Sequence, residues 1–117
     1  MSHRRRQAYR RGQIAEIRAA LSLVLKGYRV VAWRFKTPVG EVDLIARKGA
    51  LVLFVEVKAR TTHQAALDSI TPTAQRRIEA AAHWWLARQR DAPRLNWRFD
   101  VITVVPRRWP RHHKDVW

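Results

Sequence analysis

The segment GEVDLIARKGALVLFVEVKAR, from Gly40 to Arg60, predicts a β-hairpin around which the rest of the chain is organised. Its first arm alternates, with Glu41 and Asp43 on one face and apolar residues on the other, which is the two-residue period of a strand. Its second arm, Leu51–Val57, is almost continuously apolar. Such a run is typical of a strand that is covered on both faces, so the hairpin is expected at the centre of a sheet.

Charged residues interrupt this hairpin, and its register decides whether they meet. Glu56 and Lys58 stand two residues apart in the second arm and therefore share one face. A turn at residues 48–49 would place Glu41 opposite Glu56 and Asp43 diagonally from it. Cross-strand neighbours of this kind lie roughly 5 to 8 Å apart, so three carboxylates and one ammonium group are expected at one end of one face.

Three carboxylates in one place need a neutralising partner, and the sequence leaves two kinds open. Like charges directly opposite each other destabilise a sheet, and burying them is costly without compensation. A divalent cation would compensate them, and carboxylate oxygens suit Mg²⁺ or Mn²⁺. The alternative is a plain ion-pair network in which Arg34 or Arg60 neutralises the same acids.

The composition indicates one basic domain that binds a polyanion. The chain has 117 residues, and its 24 Lys and Arg against 9 Asp and Glu give a formal charge of +15. Nucleic acid is the expected partner, and an ordinary domain with basic tails is the alternative. A membrane is not expected, because no apolar run reaches the roughly 18 residues of a membrane helix. The absence of cysteine excludes disulfides and thiolate metal sites, and without a signal-peptide core a cytoplasmic protein is expected.

The chain is predicted to comprise a basic N-terminal arm (1–11), one domain (12–105) and a basic C-terminal tail (106–117). The arm carries Arg4, Arg5 and Arg6, which are expected either to contact phosphates or to form an ordinary solvated tail. The tail is interrupted by prolines and expected to be loose. Its His112-His113 pair is only a weak metal signal.

Hydrophobic periodicity predicts the order helix, strand, strand, strand, helix, strand within the domain. The first helix, residues 12–26, is expected to bury one apolar stripe, made of Ile14, Ile17, Leu21, Val24 and Leu25. Thr71-Pro72 signals the start of a helix that continues to about Arg90. Residues 60–70 show no period and predict a loop with an exposed His63. The last strand, Leu95–Val105, should return parallel to a neighbour, so the fold class is α/β with a mixed sheet flanked by helices.

Several polar side chains of these elements are candidates for a site. Glu16 lies beside the stripe of the first helix and is open to two interpretations, a surface salt bridge or a contribution to the carboxylate cluster. Gln75 continues the stripe of the second helix, so it should point at the sheet. Arg76 and Arg77 lie away from that stripe and could meet phosphates. Asp100 is expected to pair with a nearby arginine and is not counted as catalytic.

Five blocks of sequence occur in the order of a known family: GQIAE, GEVDLIA, LVLFVEVKAR, TPTAQRRI and RFDVI. Over about residues 12–105 the chain resembles the bacterial YraN-like family of UPF0102 type. That family is similar to the archaeal Holliday junction resolvases within the PD-(D/E)XK nuclease superfamily. The resemblance implies a restriction-endonuclease-like αβββαβ core, which agrees with the element order above. It also implies a Mg²⁺- or Mn²⁺-dependent endonuclease acting on DNA, including branched or otherwise structured DNA.

The resemblance further implies roles for individual residues. Asp43 is the motif aspartate, and Glu56 and Lys58 form the E-x-K pair. Glu16 matches an acidic residue of the first helix, and Gln75 matches a polar helix residue near the site. Ala74 departs from the family, where a lysine is expected, and this leaves a supporting basic contact in doubt.

In such a site Asp43 and Glu56 would hold the metal, with the Val57 carbonyl as a further ligand. Glu16 would hold the same ion through water or help a second one. Lys58 would orient the attacking water or stabilise the phosphate, with an electrostatic role favoured over that of a general base. Arg60 could touch a neighbouring phosphate, and the role of Glu41 stays open.

A second function of a different class is a non-catalytic nucleic-acid-binding module that retains the nuclease fold. Both functions predict salt-sensitive binding, because phosphate contacts release counterions. A third alternative is a protein associated with an anionic surface or a ribosome. Resolvase-like enzymes usually pair to cut two strands, so the resemblance also implies a homodimer.

Overall fold

The computed structural model of the chain describes the backbone of residues 3–117 and the side chains of residues 12–117. Its elements are, in chain order, α1 (His3–Leu25), β1 (Arg29–Lys36), β2 (Glu41–Lys48), β3 (Leu51–Ala59), α2 (His63–Asp68), α3 (Pro72–Leu86), a short 3₁₀ helix (Ala92–Arg94), β4 (Asn96–Val104) and β5 (Arg111–His113). No described helix is long and apolar enough to cross a membrane.

The strands form one mixed sheet in the order β1-β2-β3-β4-β5. The first three make an antiparallel meander, and after α3 the chain returns through β4, which runs parallel to β3. The predicted α/β class, with a mixed sheet between helices, is therefore confirmed. α1 packs Ala15, Ala19 and Leu23 on one face of the sheet. α3 packs Ile78 and Ala82 on the other.

The register of the central hairpin differs by two residues from the predicted one. Lys48 pairs with Leu51 and Leu44 pairs with Val55, so the turn is at residues 49–50. Gly49 has a φ of +59°, a conformation that favours glycine at this position. Extending the observed register places Asp43, rather than Glu41, opposite Glu56.

α1 differs from the prediction in its start and in its buried face. It begins at His3, so the backbone of residues 3–11 continues the helix. The aliphatic residues predicted to face the sheet keep 50–67% of their surface exposed: Ile14, Ile17, Leu21, Val24 and Leu25. Ala15 and Ala19 are buried instead, because small side chains let a helix approach the sheet closely. The proposed division between arm and domain stays a prediction.

Thr71 caps α3 as predicted, since its hydroxyl accepts a hydrogen bond from Ala74 N–H at 3.0 Å. The helix ends at Leu86, earlier than the predicted end near Arg90. Residues 60–70, predicted as a loop, contain α2, which Thr62 caps in the same way. A helix of six residues is too short for a hydrophobic period to be visible, so the prediction missed it.

The prediction of a loose C-terminal tail is wrong. β5 pairs with β4 in antiparallel fashion, and the ring of Trp117 stacks on Phe99 with centroids 5.5 Å apart. Asp100 pairs with an arginine as predicted, through Arg98 Nε at 2.9 Å. Asp100 also accepts a hydrogen bond from the N–H of Asp115, and this contact fastens the tail to β4.

Candidate active site

β2 and β3 separate at the point where their acidic residues stand, and we call this end of the hairpin the β2–β3 fork. The last backbone pair before the fork joins Leu44 and Val55. Beyond it, Oδ2 of Asp43 accepts a hydrogen bond from Val57 N–H at 2.8 Å. A side chain thus replaces a strand-to-strand backbone contact and fixes the Asp43 carboxyl group between the strands.

Glu56 meets Asp43 inside the fork, and the two carboxyl groups are in hydrogen-bonding contact. Glu56 is only 8% exposed. Burial, followed by the hydrogen bond and the charge of Asp43, raises the pKa of Glu56 to about 9. The positive charge of Lys58 and a backbone hydrogen bond at Val57 act in the opposite direction but are weaker. Without a cation at the fork, Glu56 is therefore protonated near pH 7.

The structure confirms the first of the two interpretations of Glu16 left open by the sequence, and its contribution to the carboxylate cluster stays a prediction. Its Oε2 lies 2.7 Å from Nε of Arg34, so it makes a salt bridge. It also lines a depression of about 310 Å³ together with Glu41 and Asp43, so the structure places it beside the fork. Arg34 has a φ of +50°, which is uncommon for a residue with a side chain and often accompanies a functional constraint.

A groove of about 630 Å³ opens next to the fork, between α1, the end of β3, α2 and the segment that follows β4. Val57 and Lys58 are among its lining residues. Arg60 is exposed and lines the same groove. We call this feature the fork groove.

α3 reaches the start of the same hairpin. A Cβ atom at Gly40 would lie 1.9 Å from the carbonyl oxygen of Arg77, so only glycine permits this packing. Gln75, two residues before Arg77, is half-buried, whereas Arg76 and Arg77 are exposed. No hydrogen bond among the described residues joins the side chain of Gln75 to the acids, and its role stays a prediction. The remaining predicted phosphate contacts have side chains outside the described residues: Arg4, Arg5 and Arg6.

Residues 15–104 match the uncharacterised protein family UPF0102. The chain belongs to this family. It is 56% identical to UPF0102 proteins of Chelativorans sp. (strain BNC1) and Rhizobium meliloti (strain 1021), over 97% of this chain and 91% and 93% of theirs. A UPF0102 protein of Brucella canis is also 56% identical, over 96% of this chain and 89% of its own. The family assignment drawn from the sequence blocks is thereby confirmed.

The donor atoms at the fork of this UPF0102 protein suit a hard divalent cation, because they are carboxylate and backbone oxygens. Asp43 and Glu56 are the two side chains in contact. Among residues 12–117 no three His, Asp or Glu side chains are grouped closely enough to hold a metal ion together. Glu16, the third predicted ligand, is held by Arg34. Two carboxylates are sufficient for Mg²⁺, which usually keeps several waters and binds substrate phosphates.

A second polar cluster of the UPF0102 chain joins α2, β4 and β5 and was not predicted from the sequence. The buried hydroxyl of Thr103 lies 2.6 Å from Nδ1 of His63 and 2.9 Å from Nε2 of His113. Burial is the main cause that lowers the pKa of both histidines. His63 is therefore not the lone, exposed residue that was predicted. No local pattern signals this cluster, because its members come from three separate elements.

Proposed function

We propose that this protein is a Mg²⁺-dependent endonuclease that hydrolyses phosphodiester bonds of DNA, including branched or otherwise structured DNA. The observation that carries the proposal is the contact of Asp43 with Glu56 at the fork, beside Lys58, in a chain of formal charge +15. A buried carboxyl group in contact with a half-buried one is unfavourable for folding unless a proton or a cation neutralises the pair. Residues that break a folding rule in this way are where a functional site is expected.

Asp43 and Glu56, with the Val57 carbonyl, would hold Mg²⁺ or Mn²⁺. When bound, the ion supplies positive charge to the scissile phosphate and makes a bound water more acidic. Lys58 orients the attacking water and stabilises negative charge on the phosphate, since its charge acts at the same carboxyl pair. Glu16 assists from the neighbouring depression, through water.

Arginines around the fork would bind the DNA backbone. Arg60, Arg76 and Arg77 are exposed, and the basic residues before Gly12 add further charge. Guanidinium groups bind phosphates without reading the base sequence, so this contact positions the DNA rather than selecting a sequence. Gln75 would contact the substrate or a water from the first turns of α3. A cytoplasmic location is part of the same proposal.

A non-catalytic nucleic-acid-binding module with the same fold is the second candidate. The observation that favours it is the salt bridge that occupies Glu16, which leaves two carboxyl groups at the fork. Both candidates predict binding that weakens with salt. Only the endonuclease predicts metal-dependent turnover.

We also propose that the chain forms a homodimer, as the resemblance to resolvases implies. The exposed aliphatic residues of α1 offer a surface for it: Ile14, Ile17, Leu21 and Val24 follow at intervals of three, four and three. This is the spacing of helix-to-helix seams. In sedimentation experiments Leu21→Glu should convert a dimer into a monomer. A wild-type chain that sediments as a monomer throughout would contradict the dimer.

A cleavage assay tests the function. The purified protein is given a labelled four-way junction, a flap, a single strand and a duplex, each with Mg²⁺, Mn²⁺ or EDTA. Cuts that need the metal and disappear in Asp43→Asn support the endonuclease. Binding without cleavage across the panel would favour the module.

A further inference from the structure

The fork groove combines an apolar floor with a cationic rim. Its floor is formed by small and medium apolar side chains: Ala15, Val57, Val104 and Val105. Its rim carries Arg18, Lys58 and Arg60. Among its described lining residues the only acid is Glu16, which makes a salt bridge to Arg34. The groove therefore offers apolar contact and positive charge side by side.

Hydrogen bonds to the end of β4 hold the walls of this groove in place. Arg18 donates to the carbonyl oxygens of Val105 and Arg108. The backbone N–H of Arg60 donates to the carbonyl oxygen of Val104 at 3.2 Å. These contacts preform the groove, so a ligand would not have to order it.

The fork groove adjoins the depression that contains Asp43. Val57, which lines the groove, is also the residue whose N–H donates to Asp43. Glu16 lines both the groove and the depression that contains Asp43. A DNA strand whose phosphate lies at the fork would therefore place its next nucleotides in the groove.

The chemistry of the groove fits an unpaired nucleotide. A nucleobase has two apolar faces, and the phosphates on either side of it are anionic, which matches the floor and the rim. A volume of about 630 Å³ lies within the roughly 300 to 1,000 Å³ of small-ligand pockets. In a duplex both faces of each base are covered by neighbouring pairs, so only an unstacked base can lie against the floor.

We propose that the fork groove binds one or two unpaired nucleotides next to the scissile phosphate, so that the substrate is DNA with a single-stranded segment at the cut. This inference rests on the proposed function for the position of the phosphate. Continuous duplex would bind through the exposed arginines alone and would be a poor substrate.

Binding is measured first, without cleavage, in the Asp43→Asn background with EDTA. The probes are a fluorescein-labelled flap with a single-stranded arm and a duplex of the same length, followed by anisotropy. Ala65→Trp fills the groove from α2, where Ala65 is exposed and lines the groove. Ala87→Trp is the matched control, because Ala87 is exposed at the end of α3 and does not line the groove.

We expect Ala65→Trp to weaken flap binding by about tenfold, the scale of one lost base-stacking contact. Duplex binding by Ala65→Trp, and binding of both probes by Ala87→Trp, should stay unchanged. Equal affinity of Ala65→Trp and its parent for the flap, or equal losses for flap and duplex, would overturn the proposal. Should Ala65→Trp fail to fold, Thr61→Trp, which fills the groove from another exposed position, gives the same test.

Cleavage by the variants with an intact Asp43 then separates the two proposals. A selective loss of flap binding in Ala65→Trp together with no cleavage by any variant would retain the groove and reject the endonuclease. Cleavage of flap and duplex at equal rates, unaffected by Ala65→Trp, would retain the endonuclease and reject the groove.

Discussion

Asp100 in β4 and Glu56 in β3 are buried acids in adjacent, parallel strands, and the fold treats them differently. Asp100 has no exposed surface, yet it accepts hydrogen bonds from Arg98, from His112 and from the N–H of Asp115. Burial alone would raise the pKa of Asp100, but the hydrogen bonds from His112 and Arg98 outweigh it, and the pKa is lowered. Asp100 is therefore a buried, charged carboxylate whose hydrogen-bonding needs are met by neighbouring residues.

Glu56 is in contact with another carboxyl group, that of Asp43. No salt bridge to Glu56 is present among the described residues. Its pKa rises to about 9, chiefly through burial. Asp100 is paired with an arginine and a histidine of the fold. In the part of the chain that the structure describes, the carboxyl groups at the fork have no such partner and need a proton or a cation to neutralise them. The difference supports the proposal that the fork acids bind a cation, whereas the partners of Asp100 are those of a structural residue.

The rate of DNA cleavage should show the largest difference between substitutions at the fork and substitutions at Asp100. Asp43→Asn removes a carboxylate that would hold the metal, and we expect the single-turnover rate on a cleavable substrate to fall by about 100-fold or more. Asp100→Asn should leave the rate per folded molecule nearly unchanged, because Asp100 lies outside the fork. Equal losses in the two variants would remove the distinction.

The free energy of unfolding should show the opposite pattern, with a large loss for the substitution at Asp100 and little change for the one at Glu56. Asp100→Asn leaves the charge of Arg98 and the ring N–H of His112 without their buried carboxylate partner, and we expect a loss of about 3 kcal/mol in the free energy of unfolding. Glu56→Gln should change it little in EDTA, since glutamine resembles protonated glutamate in size and charge. Urea unfolding of both variants measures this. An Asp100→Asn protein as stable as the wild type would contradict the stabilising role of Asp100.

A smaller effect is expected from a single partner of Asp100. His112→Asn removes one hydrogen bond to a buried charge and should cost about 1.5 kcal/mol. Lys114→Asn is the matched control on the tail, because Lys114 is exposed. Hydrogen exchange of β5 amides should accelerate in His112→Asn alone. The same exchange rates in both variants would mean that Asp100 does not fasten the tail through His112.

The pH dependence of stability should reveal the proton that Glu56 takes up on folding. The pKa of Glu56 is raised on folding, so its contribution is fully present below its unfolded value near 4.5 and is lost as pH rises through about 9. Between pH 5 and pH 9 we expect the wild type to lose at least about 1 kcal/mol relative to Glu56→Gln. Denaturant unfolding in EDTA across this range measures it. Parallel curves for the two proteins would show that Glu56 keeps an ordinary pKa.

Sequence patterns predicted the helices and strands whose formation depends mainly on neighbouring residues in the chain. The alternation of the first arm and the apolar run of the second identified β2 and β3, and Thr71-Pro72 identified the start of α3. The parallel return of β4 followed from the crossover rule. The sequence blocks identified the family and named Asp43, Glu56 and Lys58 before their geometry was known.

Tertiary contacts decided what the sequence could not predict. The turn at residues 49–50 shifted the register, so Asp43 rather than Glu41 stands opposite Glu56. α1 is apolar on two faces, and a pattern cannot tell that its alanines, not its larger aliphatic residues, face the sheet. The hydrogen bond of Asp43 to Val57 N–H and the positive φ of Arg34 depend on the folded chain.

The most direct test of the central claim is Mg²⁺-dependent cleavage by Glu56→Gln, measured beside its unfolding midpoint in EDTA. A neutral, equally sized side chain separates the folding role of Glu56 from its role toward a cation. We predict that cleavage is lost while the midpoint stays at the wild-type value or rises. A folded Glu56→Gln protein that cuts at the wild-type rate would contradict the claim that the fork is the active site.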